Sequence, residues 1–437
     1  MKKILTLLLA LWMLTGCVAM AAENQLVVGS TTAMSGAFFT DLFGSNTADM
    51  DVRALLHGYN LMNWDNETGT YQINDSVVAG MAVSKDAQNN RVYTFDLYGD
   101  LKFSDGSAIT AKDYAFSILL TASPELAKLG GQSAAVGAIL GMDAYQSGKS
   151  SVLRGVRLLS DTQMSITISK AYEPYFYEMA LFDYSPYPIS VLAPGCKVVD
   201  TEKGVGIVNA SGTGTAIFTA ALLQKTILDA ATGYMSHPSV VSGPYTLTSY
   251  DAQSGTASFA INPYYKGNED GEKPTIETIV YRTVANDEAI DLLLSGEVDL
   301  LNKMVAADTI SKGIQSTADQ PFSVANYPRS GLSMISFSCE RQTVSGKAVR
   351  QAIASCFDRD ALVKAYTGNF GLKANGYFGI GQWMYQLAAG TIQPPVADLP
   401  ANATAKEIAA YDKTVAQWDA LSLDKLKDYP LDLDQAA

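Results

Sequence analysis

An α/β protein of two lobes is the fold class this sequence predicts, on three observations. Ile276–Val284 reads as a strand and Asn286–Asp299 as a helix leading into a further strand. That order makes a βαβ unit, which favours a sheet covered by helices. Tyr93–Ala122 reads as a strand, a tight turn and a capped helix. The third observation is length: 437 residues exceed what one core holds, since single cores stop growing near about 250–300 residues.

The elements follow in sequence order. Lys2 and Lys3 precede an apolar run, Ile4–Leu14, too short to span a bilayer and suited to a secretory signal. Leu14, Thr15, Gly16 and Cys17 resemble a bacterial lipobox, in which Cys17 receives the lipid. Ala19-Met20-Ala21 offers a competing cleavage site that would release a soluble protein. Gln25–Ser30 reads as a short buried strand, and Leu55–Leu61 as a helix end and turn.

In Tyr93–Ala122, Tyr93, Phe95, Leu97, Leu101 and Phe103 mostly alternate with polar residues, the period of a half-buried strand pair. Ser104, Asp105 and Gly106 turn the chain. Thr110 and Asp113 form a capping-box pattern, with Ala111, Tyr114, Ala115, Ile118 and Leu119 on one helix face and Pro124 as the stop. Val156–Ser169 alternates across a Ser-Asp turn, the signature of a hairpin. Tyr172–Tyr187 is rich in aromatics and proline, which suits either a stacking platform for a ligand or a segment packed into the core. Gly243-Pro244-Tyr245 enters a strand, and Asn262-Pro263-Tyr264-Tyr265 turns out of the next one. Gly296 caps the Asn286–Asp299 helix. Ser345–Tyr366 carries two helices, with Asp358 and Asp360 as caps at the second.

Composition narrows the function. Hydrophobic residues at 48% and charged residues at 17% are those of a packed globular protein. A net charge of −13 argues against nucleic acid, whose phosphates demand a basic surface. It suits a soluble acidic surface or the attraction of cationic ligands. His57 and His237 are the only histidines and neither has a zinc spacing, so no metal site and no cofactor are expected. Without Cys17, three cysteines remain, Cys196, Cys339 and Cys356, and buried free thiols are expected for them. Gly131–Ala135 partly matches a nucleophile elbow around Ser133 but lacks both a preceding strand and a histidine partner. Gly204, Gly206, Gly212 and Gly214 complete no phosphate-loop spacing. No catalytic residue is assigned and the protein is read as a non-enzyme.

The phrase LKFSDGSAITAKDYAFSI is similar to a hallmark of the extracellular solute-binding proteins, family 5, that serve ABC importers of peptides and nickel. The Gly-Pro-Tyr and Asn-Pro-Tyr-Tyr turns, Ser295-Gly296-Glu297-Val298-Asp299, and Val349-Arg350-Gln351-Ala352-Ile353 resemble further family motifs in the family order, across residues 25 to 395. The resemblance implies a two-lobed periplasmic-binding-protein-like fold of type II, peptide-binding cluster, with a small inserted subdomain. Its parts would be a lipoprotein signal at 1–17, a discontinuous main lobe at 24–61 and 171–275, the small subdomain at 62–170, and a second lobe at 276–437. Family members commonly continue further, so the second lobe is expected to be incomplete and the protein truncated at its C-terminal end. Residues 396–428 resemble a family insertion.

The function implied is capture of an oligopeptide, a dipeptide or a related solute between the lobes, and delivery to an ABC permease and its ATPase subunits. The location implied is extracytoplasmic, with a lipid anchor to the membrane. By position in the family pattern, Ser45, Asn46 and Thr47 would border the ligand from the main lobe and Arg329 and Ser330 from the second, with Tyr377 and Trp383 as aromatic candidates. The alternatives are a ligand-sensing or adhesion lipoprotein on the same scaffold, or a non-functional truncated product.

Overall fold

Five strands in the order 245–251, 256–261, 278–283, 25–30, 300–302 form the central sheet. They belong to a computed structural model that describes residues 24–65, 70–132, 137–173, 178–317, 321–327, 331–368, 370–379, 381–392, 399, 402–420 and 430–436. The signal segment with Cys17, Ser133, and Arg329 with Ser330 lie outside the described residues. Two compact units emerge: Met1–Asn63 with Gln72–Lys303, and Trp64–Tyr71 with Met304–Ala437.

Gln25–Ser30 is the middle of the parallel part of the sheet in the first unit. It pairs in parallel with Thr278–Thr283 on one side and Leu300–Asn302 on the other. The βαβ unit therefore straddles Gln25–Ser30, its helix Ala289–Ser295 ending at Gly296 with φ +77. These hydrogen bonds tie residues 278–302 to Gln25–Ser30, the first strand of the sheet in sequence.

Helix Thr47–Leu56 turns Ala48, Val52 and Leu56, one face at four-residue spacing, into the core with Val28, Phe38, Phe259 and Tyr281. Asp51 on that helix accepts hydrogen bonds from Tyr281 Oη (2.9 Å) and Asn302 Nδ2 (2.8 Å) and ion-pairs with Lys303. Lys303 has φ +55, a conformation costly for a side-chain-bearing residue, and the Asp51 contact holds it there.

A second sheet of the same unit, all antiparallel, runs 78–85, 91–97, 163–168, 156–158. The expected hairpin is present, with Val156 opposite Ile166, and Tyr93 and Phe95 pair with Ile166 and Met164. Leu101–Phe103 leaves the ladder and keeps only an isolated bridge from Lys102 to Ala108. Helix Ala111–Thr121 starts at Thr110 as expected, but it is sealed nearly all round, from Ala111 through Leu120, and not on one face alone. Most of its side chains are apolar, so it can bury nearly every side, with Lys112 left exposed.

Three of the motifs that carried the family resemblance, at Ser104–Gly106, Gly243–Tyr245 and Asn262–Tyr265, meet around one turn. Ser104 N donates to Val241 O at 2.8 Å, and Val241 N donates to Ser104 Oγ at 3.0 Å. Gly106, with φ +83, has Tyr264 against it so closely that an added Cβ would lie 3.0 Å from the ring. At Gly243 a Cβ would lie 2.5 Å from Leu55 O, so only glycine lets that turn close on the helix end. Asn262 Nδ2 donates to Gly243 O (2.9 Å), and Tyr265 stacks on Tyr59 with centroids 5.1 Å apart.

The second unit takes in part of the strand pair Met62–Asp65 and Thr70–Ile73, and from Met304 on its regular elements are helical where described: Ala307–Thr317, Lys347–Ser355, Arg359–Thr367, Trp383–Ala388, Ala405–Asp419 and the single turn Leu433–Ala436. Asp358 caps Arg359–Thr367, accepting from Ala361 N at 2.9 Å, while Asp360 ion-pairs with Lys373 at 3.0 Å. Leu387 is the one large apolar residue buried among the described residues after Lys303. The cysteine expectation needs correcting: all three are free, but only Cys196, on strand Cys196–Thr201, is buried, and Cys339 and Cys356 are exposed. Among the described residues after Lys303 no strand forms a layer that could cover them.

Candidate functional site

A cavity of about 220 Å³ lies within the first unit, and three stretches of sequence, with Ile139, build it. Thr40, Asp41 and Leu42 come from the loop before helix Thr47–Leu56, Ser117 and Thr121 from the helix Ala111–Thr121, and Asp183, Tyr184, Ser185 and Tyr187 from the aromatic segment. Ser117 and Thr121 are four residues apart and so share a helix face. In the run Ala115–Thr121 they are the polar positions, and both line the cavity.

The aromatic segment packs into the core at Phe182 and lines the cavity further on. Phe182 is fully buried, 4.6 Å from Tyr93 and 5.4 Å from Phe95 between ring centroids. Tyr184 and Tyr187 face the cavity. Tyr175 and Phe176 lie outside the described residues. Backbone bonds hold the segment: Tyr187 N donates to Asp113 O (3.3 Å), and Leu61 N to Tyr184 O (3.1 Å).

Asn60 orients the polar lining from behind. Its Nδ2 donates to Asp183 Oδ1 at 2.7 Å, and its Oδ1 accepts from Ser185 Oγ at 2.7 Å. Burial raises the Asp183 carboxyl above the ordinary carboxylate range, against the lowering effect of the Asn60 bond. Burial, with the Asp183 charge, pushes Tyr184 up to about 12, and burial with Asp41 raises Tyr187 further. His57 sits behind Tyr187 among Phe39 and Tyr234, its Nε2 3.0 Å from Phe38 O. Burial lowers its pKa to about 4, so it is neutral at physiological pH and serves the packing.

The described residues among those singled out from sequence do not line this cavity. Asn46 caps helix Thr47–Leu56: Asp49 N donates to its Oδ1 (3.0 Å) and its Nδ2 donates to Ala33 O (2.8 Å). Both polar ends of that side group are thus occupied. Ser45 Oγ bonds the neighbouring Asn46 O (3.3 Å), and Thr47 Oγ1 reaches Thr32 Oγ1 (3.5 Å). Tyr377, in the second unit, is 78% exposed, and Trp383 opens the helix Trp383–Ala388. Thr40, Asp41, Ser117 and Asp183 were not singled out. The Ser117–Thr121 spacing was the signal available for one of the cavity's walls. No group of three or more metal-ligating side chains occurs among the described residues.

Comparison with known proteins bears on what such a cavity serves. Residues 76–417 match the family model described as bacterial extracellular solute-binding proteins, family 5, middle. The chain is 28% identical over 233 residues to the oligopeptide-binding protein OppA of Lactococcus lactis subsp. lactis strain IL1403, covering 52% of this sequence and 32% of that protein. It is 24% identical over 306 residues to the periplasmic oligopeptide-binding protein OppA of Escherichia coli K12, covering 68% and 48%. The chain therefore spans about half the length of these curated relatives or less. Its structure aligns with lactococcal OppA complexed with an endogenous peptide in the closed conformation at TM-score 0.60 and 17% identity, over 94% of this protein and 65% of that one. At that identity the likeness is one of fold.

Proposed function

Since the chain belongs to the bacterial extracellular solute-binding proteins of family 5 and has the two-lobed α/β fold of its peptide-binding relatives, we propose that it captures peptides, or a related small solute, outside the cytoplasm and hands them to an ABC permease and its ATPase. The observation that carries this reading is the family match over residues 76–417, which supports a binding role and no chemistry on the ligand. Its relatives named for oligopeptide binding favour peptides over other solutes. The polar, tyrosine-lined cavity adds a local reason, because peptide recognition draws on a few placed polar groups beside apolar and aromatic walls. Within this reading Cys17 carries the lipid, residues 62–170 act as an inserted subdomain of the main lobe, and Arg329, Ser330 and Tyr377 belong to the ligand-facing part of the second lobe.

Thermal denaturation of the purified protein against peptide, sugar and nickel libraries tests the proposal, since a ligand that binds only the native state raises its stability by mass action. Peptides at about 100 times Kd are expected to add about 3 kcal/mol, a rise of several degrees in Tm. A shift with sugars or nickel alone would replace the peptide reading. No shift with any library would sink it.

A further inference from the structure

We propose that the open edge of strand Val78–Lys85 pairs, antiparallel, with the same strand of a second copy of this protein, joining the two four-stranded sheets edge to edge about a two-fold axis.

Val78–Lys85 ends its sheet and, among the described residues, pairs only with Arg91–Leu97. An open edge presents unpaired N–H and C=O groups, which proteins ordinarily guard with short strands, charge, proline or bulges. Other described edges of the sheets of three or more strands are guarded in this way. Leu300–Asn302, Val156–Leu158 and Val152–Leu153 have three residues or fewer, Tyr245–Asp251 is irregular between Leu247 and Ser249, and Cys196–Thr201 carries Lys197 and Asp200. Val78–Lys85 has eight residues, no proline and a single charge, Lys85, at its last position. Its own irregularity falls where the strand begins, between Val78 and Gly80, and Gly80–Lys85 pairs in regular register.

The side chains of the edge complement their own copy. Met81 lies opposite Phe95 and Val83 opposite Tyr93, so all four share the face on which Phe95 and Tyr93 pack against Phe182. That apolar row breaks off at the edge, where Val83 is 54% exposed. With a two-fold axis at Ala82, Met81 falls opposite the partner's Val83, and Gly80 opposite the partner's Ser84. Each row then runs from Phe95 through Met81 to the partner's Val83 and the partner's Tyr93, apolar throughout. The two copies of Lys85 fall at opposite ends of the pair, so no like charges meet across it. A net charge of −13 sets copies against one another elsewhere, whereas this stretch is neutral apart from Lys85, whose Nζ lies 3.6 Å from Glu173.

Sedimentation equilibrium of the purified protein from about 1 to 100 µM tests the pairing, with a reductant present so that the exposed Cys339 and Cys356 add no cross-link. The mass should rise towards two chains over that range. Amide hydrogens of Met81–Lys85 should exchange about tenfold more slowly at the high concentration than at the low one. Val83→Lys, at an exposed position, sets a charge into each apolar row and should weaken association about tenfold, with Tm confirming that the variant folds. Val83→Thr, uncharged and of the same shape, should still associate. A mass of one chain throughout overturns the proposal. So does a dimer whose Met81–Lys85 amides gain no protection, or one that Val83→Lys leaves intact.

Discussion

Phe38, Val52, Leu56 and Phe259 of the first unit are sealed from solvent, whereas Tyr327, Met334, Ile335, Leu362, Tyr366 and Tyr377 of the second are each more than half exposed. Both units draw on amphipathic sequence. Helix Thr47–Leu56 and helix Lys347–Ser355 each carry an apolar stripe, yet Val52 is fully buried and Val349 is 45% exposed. The difference lies in what faces the stripe. In the first unit a five-stranded sheet receives it, while the described residues of Met304–Ala437 hold no strand. An apolar stripe makes a helix worth forming, and only a facing layer turns it into a core.

Substitution should expose this contrast most strongly. Phe259→Ala, at a position with no exposure, is expected to cost about 3–5 kcal/mol in urea unfolding. Leu362→Ala, at 51% exposure, should stay within about 0.5 kcal/mol. Equal costs would mean that Leu362 is buried in solution and that the contrast between the units is false.

Two ionisable groups of the first unit titrate in opposite senses over nearly the same range. Burial holds His57 at about 4, below its ordinary 6.5. The unfolded state therefore takes up that proton first as pH falls from 6.5 towards 4, which costs the folded state about 3 kcal/mol over the window. Burial lifts Asp113 from 3.8 to about 6, so at that site the folded state takes the proton first and gains about 3 kcal/mol as pH falls through 6 towards 3.8. Together they nearly cancel. Stability measured by urea unfolding between pH 6.5 and 4 should therefore climb on acidification in His57→Gln, relative to the unsubstituted protein, and fall in Asp113→Asn. Parallel profiles in all three proteins would show that neither group is buried as described.

How much of this was legible depended on whether the signal was local. Strand Gln25–Ser30 was read to the residue, and Thr110 as a helix start, because alternation and capping are written within a few positions. The partner of strand Thr278–Thr283 was not. Thr278–Thr283 joins the first sheet by pairing with Gln25–Ser30, far earlier in the sequence, and no local pattern states that partner. The cavity was half legible. Tyr184 and Tyr187 lie in a segment whose composition drew notice, whereas Asp41 and Asp183 converge only in the folded protein. Asn46 shows the reverse case, a polar residue in a promising place whose side group the helix start had already claimed.

The two units also share a device, and that sets the finest test of the contrast. Thr110 N and Oγ1 both donate to Asp113 Oδ2, at 2.8 and 2.9 Å, at the start of helix Ala111–Thr121. Thr404 N and Oγ1 both donate to Glu407 Oε2, at 2.7 Å, at the start of helix Ala405–Asp419. Locally each box satisfies orphan groups worth about 1 kcal/mol. Helix Ala111–Thr121 is buried with its unit, so losing the cap should register in global unfolding: Thr110→Ala is expected to lower stability by about 1 kcal/mol. Most described side chains of Ala405–Asp419 are exposed, so that helix can open without the rest. Thr404→Ala should leave the main unfolding transition in place while amide hydrogens of Ala405–Asp419 exchange about fivefold faster. A global loss of about 1 kcal/mol from Thr404→Ala would show that the helix unfolds with the core, and the contrast between the units would have to be redrawn at Ala405.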